Sequence, residues 1–183
     1  MKYRTHLDTT RYWSRRDLLR ATVAAGIACL APAVAAQAAT SLRRVIPRSG
    51  EQIPAVGLGT WQTFDVGGSE AERMPLREVL RRFVALGGTV IDSSPMYGES
   101  ETVVGDLAGE TGVNKSLFLA TKVWTSGREA GIRQMETSLK RLRTPKLDLM
   151  QVHNLVDWQT HLKTLRGWKE QGRVRYLGIT HYT

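Results

Sequence analysis

An apolar, strand-like run ends in a polar side chain at Asp92, again at Lys122, and again at His153. The steps between them are 30 and 31 residues, and a strand with its return helix takes about thirty residues. The three groups therefore occupy equivalent places, at the carboxyl ends of neighbouring strands. The intervening pattern agrees. Residues 89–93, 117–123, 147–153 and 175–180 read as strands, preceded by a short buried strand over 55–58. Leu76, Val79, Leu80, Phe83, Val84 and Leu86 form a helical stripe, with Pro75 in its first turn and Gly87-Gly88 as its stop. A short helix is expected over 101–108. Ile132, Met135, Leu139 and Leu142 mark a third helix, and Leu162, Leu165 and Trp168 a fourth that Gly172 closes. Residues 43–46 and 51–53 flank Ser49-Gly50 as a small hairpin.

Strands alternating with helices imply a parallel sheet covered by helices. A doubly wound dinucleotide fold would carry G-x-G-x-x-G at a strand-to-helix turn. Gly57-Leu58-Gly59 lacks the third glycine, and a long loop follows it. A (β/α)8 TIM barrel fits better, because barrel enzymes keep their active sites at the carboxyl ends of the strands. The first run leads into Gly59-Thr60-Trp61, the second carries Tyr97 just beyond Asp92, and the fifth ends in Thr180-His181. Singly, each residue has an ordinary reading. Asp92 suits a turn or a cap, Tyr97 a plain loop, and His153 a hydrogen-bonded core position. Lys122 is different: it interrupts an apolar strand, and a buried ammonium requires a partner, for which Asp92 is the nearest carboxylate.

Val56-Gly57-Leu58-Gly59-Thr60-Trp61, Ile91-Asp92-Ser93-Ser94-Pro95-Met96-Tyr97-Gly98, Leu119-Ala120-Thr121-Lys122 and Gln151-Val152-His153 resemble the signatures of the aldo/keto reductase superfamily. They stand in that family's order and spacing, over residues 43–183. The resemblance implies an oxidoreductase that reduces an aldehyde or ketone to an alcohol with NADPH or NADH. It implies a catalytic tetrad of Asp92, Tyr97, Lys122 and His153. Gly59, Thr60, Trp61 and Asp92 are expected near the cofactor, with Thr180 and His181 where the family holds the carboxamide through a Ser-Asn pair. Trp61, Trp124 and His153 are expected to line the substrate pocket. No metal is implied. A free tyrosine ionises near pH 10 and is a weak acid at neutral pH, but a neighbouring cation favours its phenolate. Lys122 supplies that cation, Asp92 holds Lys122, and Tyr97 then acts as general acid, with His153 orienting the carbonyl.

The first residues carry a different message. Ser14-Arg15-Arg16-Asp17-Leu18-Leu19-Arg20 precedes an alanine-rich stretch over 21–36, which resembles a twin-arginine export signal. Ala36-Gln37-Ala38 suits a signal peptidase, so residues 1–38 are expected to be cleaved, leaving 39–183 in the periplasm. A lipoprotein reading would need a large apolar residue where Gly26 stands, three before Cys29. The stretch is too short, and too interrupted by Pro32, for a stable membrane span. Cys29 is the one cysteine of the sequence, so the mature chain could form no disulfide. Transport of a folded protein would let the enzyme take up its nucleotide before export.

Of the formal charge of +9, residues 1–38 contribute six basic against two acidic side chains. The remaining basic residues lie at helical spacing without interleaved aromatics, which argues against a nucleic-acid surface. A closed barrel needs eight strands, and the sequence supplies the first five strands and four helices, so a truncated barrel is expected. Phosphate sites of such barrels lie after strands seven and eight. The chain alone is therefore expected to be inactive, and a half-barrel that dimerises is the alternative. An exported nucleotide-binding module without turnover, or an inactive fragment, is the competing function. An aldehyde, a ketone or a sugar would each suit the residues that remain.

Overall fold

The short hairpin and the central sheet follow from where apolar runs meet turn residues. In the computed structural model, which describes residues 42–182, β1 (Arg43–Val45) pairs antiparallel with β2 (Gln52–Pro54), Arg44 opposite Ile53. The signal reading falls on residues 1–38 and lies outside the described residues. A parallel sheet follows, built from β3 (Leu58–Gly59), β4 (Val90–Asp92), β5 (Phe118–Val123), β6 (Leu147–His153) and β7 (Val174–Thr180). The helices between them are α1 (Glu70–Ala85), α2 (Ser100–Thr111), α3 (Arg128–Arg141) and α4 (Trp158–Glu170).

Spatial order equals chain order, β3-β4-β5-β6-β7, and every neighbouring pair is parallel. A doubly wound sheet reverses its order at a switch point. This one never reverses, so each strand steps one place around in the same direction. The described residues form a five-strand arc of a (β/α)8 barrel. Helix side chains such as Leu80, Leu107, Met135 and Leu165 pack against Ile91, Leu119, Val123, Met150 and Val152 on the outer face of the sheet. Every residue of β5 is buried, as expected for a strand covered on both faces.

Three details differ from the sequence reading. The first strand is Leu58–Gly59 rather than 55–58, and Val56 is 73% exposed. Leu58 and Gly59 stand in register with Ile91 and Asp92 of β4, and the Thr60 N–H continues the ladder to the Asp92 carbonyl. Pro75 is the sixth residue of α1, not in its first turn, because the helix starts earlier at a cap. Ser69 Oγ accepts the Glu72 N–H at 3.3 Å and donates to Glu72 Oε2 at 2.8 Å, a side-chain cap built on the Ser-x-x-Glu spacing. Finally, Val79 of α1 and Leu86, just beyond its end, are exposed, and the sheet-facing stripe is Leu76, Leu80, Phe83 and Val84.

The hairpin lies at the amino-terminal end of the strands. Tyr176, early in β7, donates to Glu51 Oε2 at 2.5 Å and can accept from the Ser49 hydroxyl at 2.9 Å, and Arg175 pairs with Glu51. Tyr176 also stacks on Phe118 of β5, ring centres 6.0 Å apart. The opposite end of the arc carries the polar residues.

Candidate active site

Side chains alternate faces along a strand. In β5, Thr121 points to α2 and Lys122 to the inner face, where its register partner is Gln151 of β6. The Lys122 ammonium is 3% exposed. It lies 2.7 Å from Asp92 Oδ2 and donates to the Ser93 carbonyl at 2.6 Å. Asp92 is the last residue of β4, one strand over, and its side chain is 41% exposed. The other carboxylate oxygen, Oδ1, accepts from Gln151 Nε2 at 2.8 Å. The ammonium also lies 4.8 Å from the centre of the Tyr97 ring. The sequence-derived pairing of Lys122 with Asp92 is thus present, and Tyr97 is brought beside it.

Tyr97 is held by its loop. The Asp65 carboxylate accepts the Glu99 N–H at 2.9 Å, and Gly98 adopts φ of +55° beneath it. A Cβ at Gly98 would lie 2.1 Å from Asp65 Oδ1, so only glycine fits there. Ser100 Oγ donates to the Thr60 carbonyl at 3.2 Å, a second tie between the loop after β3 and the loop after β4. Thr60 itself is fully buried, its hydroxyl bonded to Ser93 Oγ and the Asp92 carbonyl. Its neighbour Trp61 is at the surface, 64% exposed, with its ring centre 6.4 Å from that of Tyr97.

His153 ends β6. Its Nδ1 makes a hydrogen bond with the Thr180 hydroxyl of β7, which also accepts the Asn154 N–H at 3.2 Å. Burial, and then the nearby Lys122 charge, push the His153 imidazole below its ordinary range, with Asp92 opposing them. This favours the neutral ring. Trp124 stands edge-on to it at 6.3 Å, and Gln134 of α3 fixes the Trp124 backbone through two hydrogen bonds. His181 is exposed beyond β7, with its ring 5.8 Å from that of Tyr182. Among the described residues no group of His, Cys, Asp and Glu could hold a metal ion, and no helix is long and apolar enough to cross a membrane.

Gln151 is the residue that the sequence reading passed over. It stands two before His153, and the two-residue period of a strand puts both on the inner face. That parity was the available signal. Ser93, whose carbonyl receives Lys122, left no such mark.

Comparison with known proteins places this arrangement. The methylglyoxal reductase YeaE of Escherichia coli (strain K12) is 34% identical over 146 residues, covering 76% of this chain and 50% of the relative. The aldo-keto reductase YhdN of Bacillus subtilis (strain 168) is 29% identical over 153 residues, covering 75% and 46%. The chain thus spans about half the length of the curated relatives it matches. Among solved structures, an aldo/keto reductase from Klebsiella pneumoniae in complex with NADP and acetate superimposes with a TM-score of 0.64 at 31% identity. It covers 73% of this chain and 48% of that one. The aldo/keto reductase family model matches residues 55–183, all five strands of the sheet included, and the chain belongs to that family.

Proposed function

We propose that the barrel containing this chain is an NADPH- or NADH-dependent carbonyl reductase, acting on an aldehyde or ketone. The observation that carries the reading is the buried Lys122 ammonium, held by Asp92 and set against Tyr97. The rim suits the nicotinamide end of the dinucleotide. A Cβ at Gly59 would meet nothing within 4 Å, and Trp61 offers an open ring face beside Tyr97. Gly59 and Trp61 would flank that ring, Thr60 would act by holding their backbone, and Asp92, Thr180 and His181 would complete the edge. When bound, the reduced nucleotide supplies the hydride.

The residues then divide the remaining work. With the Lys122 ammonium 4.8 Å from its ring, Tyr97 gives its proton to the carbonyl oxygen as that oxygen gains charge. Asp92 keeps the ammonium in place. The Thr180 hydroxyl receives the Asn154 N–H and has its own proton for His153 Nδ1. The imidazole then carries its proton on Nε2 and presents a donor to the substrate oxygen. Trp61 and Trp124 form apolar walls on either side. Replacing Tyr97 by Phe in the full-length protein is expected to lower kcat on the order of 100-fold or more, with nucleotide affinity kept. Turnover unchanged in that variant would remove Tyr97 from the mechanism. Nucleotide binding in the wild type without carbonyl-dependent oxidation would favour a binding module on the same scaffold.

The active species is taken to be a closed eight-strand barrel, exported by the twin-arginine machinery after cleavage behind Ala38 and working in the periplasm. The intact mass of the native protein tests this. A mass near twice that of residues 39–183 supports a single-chain barrel cut at that site, and a mass matching 39–183 alone supports assembly from more than one chain.

A further inference from the structure

We propose that Gln151 is a positioning residue that fixes the charge of Asp92 and so sets how strongly Lys122 acts on Tyr97; its effect on turnover rests on the reductase reading above. The geometry is unusual for a side chain with no charge. Gln151 is on β6 and Asp92 on β4, so the amide reaches across β5 to make its 2.8 Å bond. Its register partner in β5 is Lys122, so two adjacent inner-face residues converge on one carboxylate, each taking a different oxygen. On the other flank its partner in β7 is Gly178, where a Cβ would lie 3.2 Å from Gln151 Cγ. The absence of a side chain there leaves room for Gln151 to lie flat along the sheet.

A carboxylate held by one ammonium can swing about that contact; two donors on two oxygens fix its plane. An amide does this without adding charge, so it does not compete with Lys122 as a second cation would. It also draws part of the carboxylate charge toward itself. That leaves more of the Lys122 charge effective at Tyr97. The other charged or titratable groups acting on this cluster are His153 on β6 and Glu101 on α2 behind the sheet, which attracts Lys122 from the outer side. Gln151 bonds to Asp92 and leaves each of these in place.

The test uses the full-length protein and needs no turnover. Tyrosinate absorbance is followed with rising pH in the wild type, Gln151→Met and Gln151→Asn, each with and without Tyr97→Phe, so that the difference isolates Tyr97. Met removes the donor at similar length; Asn keeps the amide but is too short to reach, and covers the case in which Met disturbs folding. Both are expected to move the Tyr97 signal to higher pH, since an unrestrained Asp92 neutralises Lys122 more fully. Fluorescence titration should show NADPH binding changed by less than about twofold, while kcat falls on the order of tenfold without a matching rise in KM. A Tyr97 signal that stays in place, or moves to lower pH, in both variants overturns the proposal. A wild type that binds NADPH but reduces no carbonyl sinks the reductase reading instead, and the titration still decides the role of Gln151.

Discussion

The ion pair between Asp92 and Lys122 is lopsided, and its two members are not interchangeable. Lys122 is almost wholly buried, whereas water reaches Asp92. Removing the acid leaves the ammonium with the Ser93 carbonyl as its remaining hydrogen-bond partner. Removing the base leaves a carboxylate with Gln151 and solvent as partners. Asp92→Ala should therefore cost about 2 kcal/mol, less than a fully buried pair because Asp92 is partly solvated, and Lys122→Met under about 1 kcal/mol. Thermal unfolding of the two variants checks the order, and a larger loss for Lys122→Met would contradict it. Glu101 gives a second test. It is fully buried on α2, receives the Thr121 hydroxyl at 2.6 Å, and has Arg141 at 3.9 Å as its nearest cation. Burial raises its carboxyl above the usual range, against the pull of these neighbours. A raised carboxyl favours folding while protonated and loses that contribution as pH rises above its unfolded value of 4.5. Glu101→Gln should then match the wild type at pH 4 and exceed its melting temperature increasingly toward pH 8. A melting difference that is flat in pH would show that Glu101 does not titrate on unfolding.

Between elements, α2 and the end of α3 meet closely at Gly105. A Cβ on Gly105 would lie 2.1 Å from the Arg141 carbonyl and 3.0 Å from Leu142 Cα. These are backbone atoms and have no rotamer by which to yield. Gly105→Ala should push the helices apart and cost about 1–3 kcal/mol in chemical denaturation; a loss near zero would mean that the helices shift freely. Such contacts also mark the boundary of what could be read in the sequence. The order of strands and helices was legible because strand and helix leave different periods, and Asp92, Lys122 and His153 repeat at the length of one unit. The start of α1 was legible too, in the Ser-x-x-Glu cap, although the stripe of apolar residues drew the eye past it to Pro75. The shift of β3 to Leu58 was not, since pairing with β4 decided it rather than local preference. The clasp of Asp65 on the Tyr97 loop was equally hidden. It joins residues 34 apart through a backbone N–H, and no side-chain pattern announces such a bond.

At the scale of the molecule, the arc has two free flanks. β3 and β7 each have one strand neighbour among the described residues, and Ile179 of β7 is 63% exposed. Residues 39–183 expressed alone should therefore associate or precipitate through these edges, and elute in size-exclusion chromatography well ahead of a compact monomer. A stable monomer would mean that the edges are covered in some other way. The hairpin at the base adds a matter of timing. Glu51 is bound by Arg175 and Tyr176, which follow it by 124 and 125 residues. At a synthesis rate of about 5–20 residues per second, the hairpin leaves the ribosome roughly ten seconds before its partners exist. During that interval Glu51 and Ser49 have no strand to grip, so the first part of the site side of the barrel is laid down over an unsealed base. The hairpin is fixed when β7 arrives, and a slow codon or a pause before residue 175 would lengthen the time in which it stands unanchored.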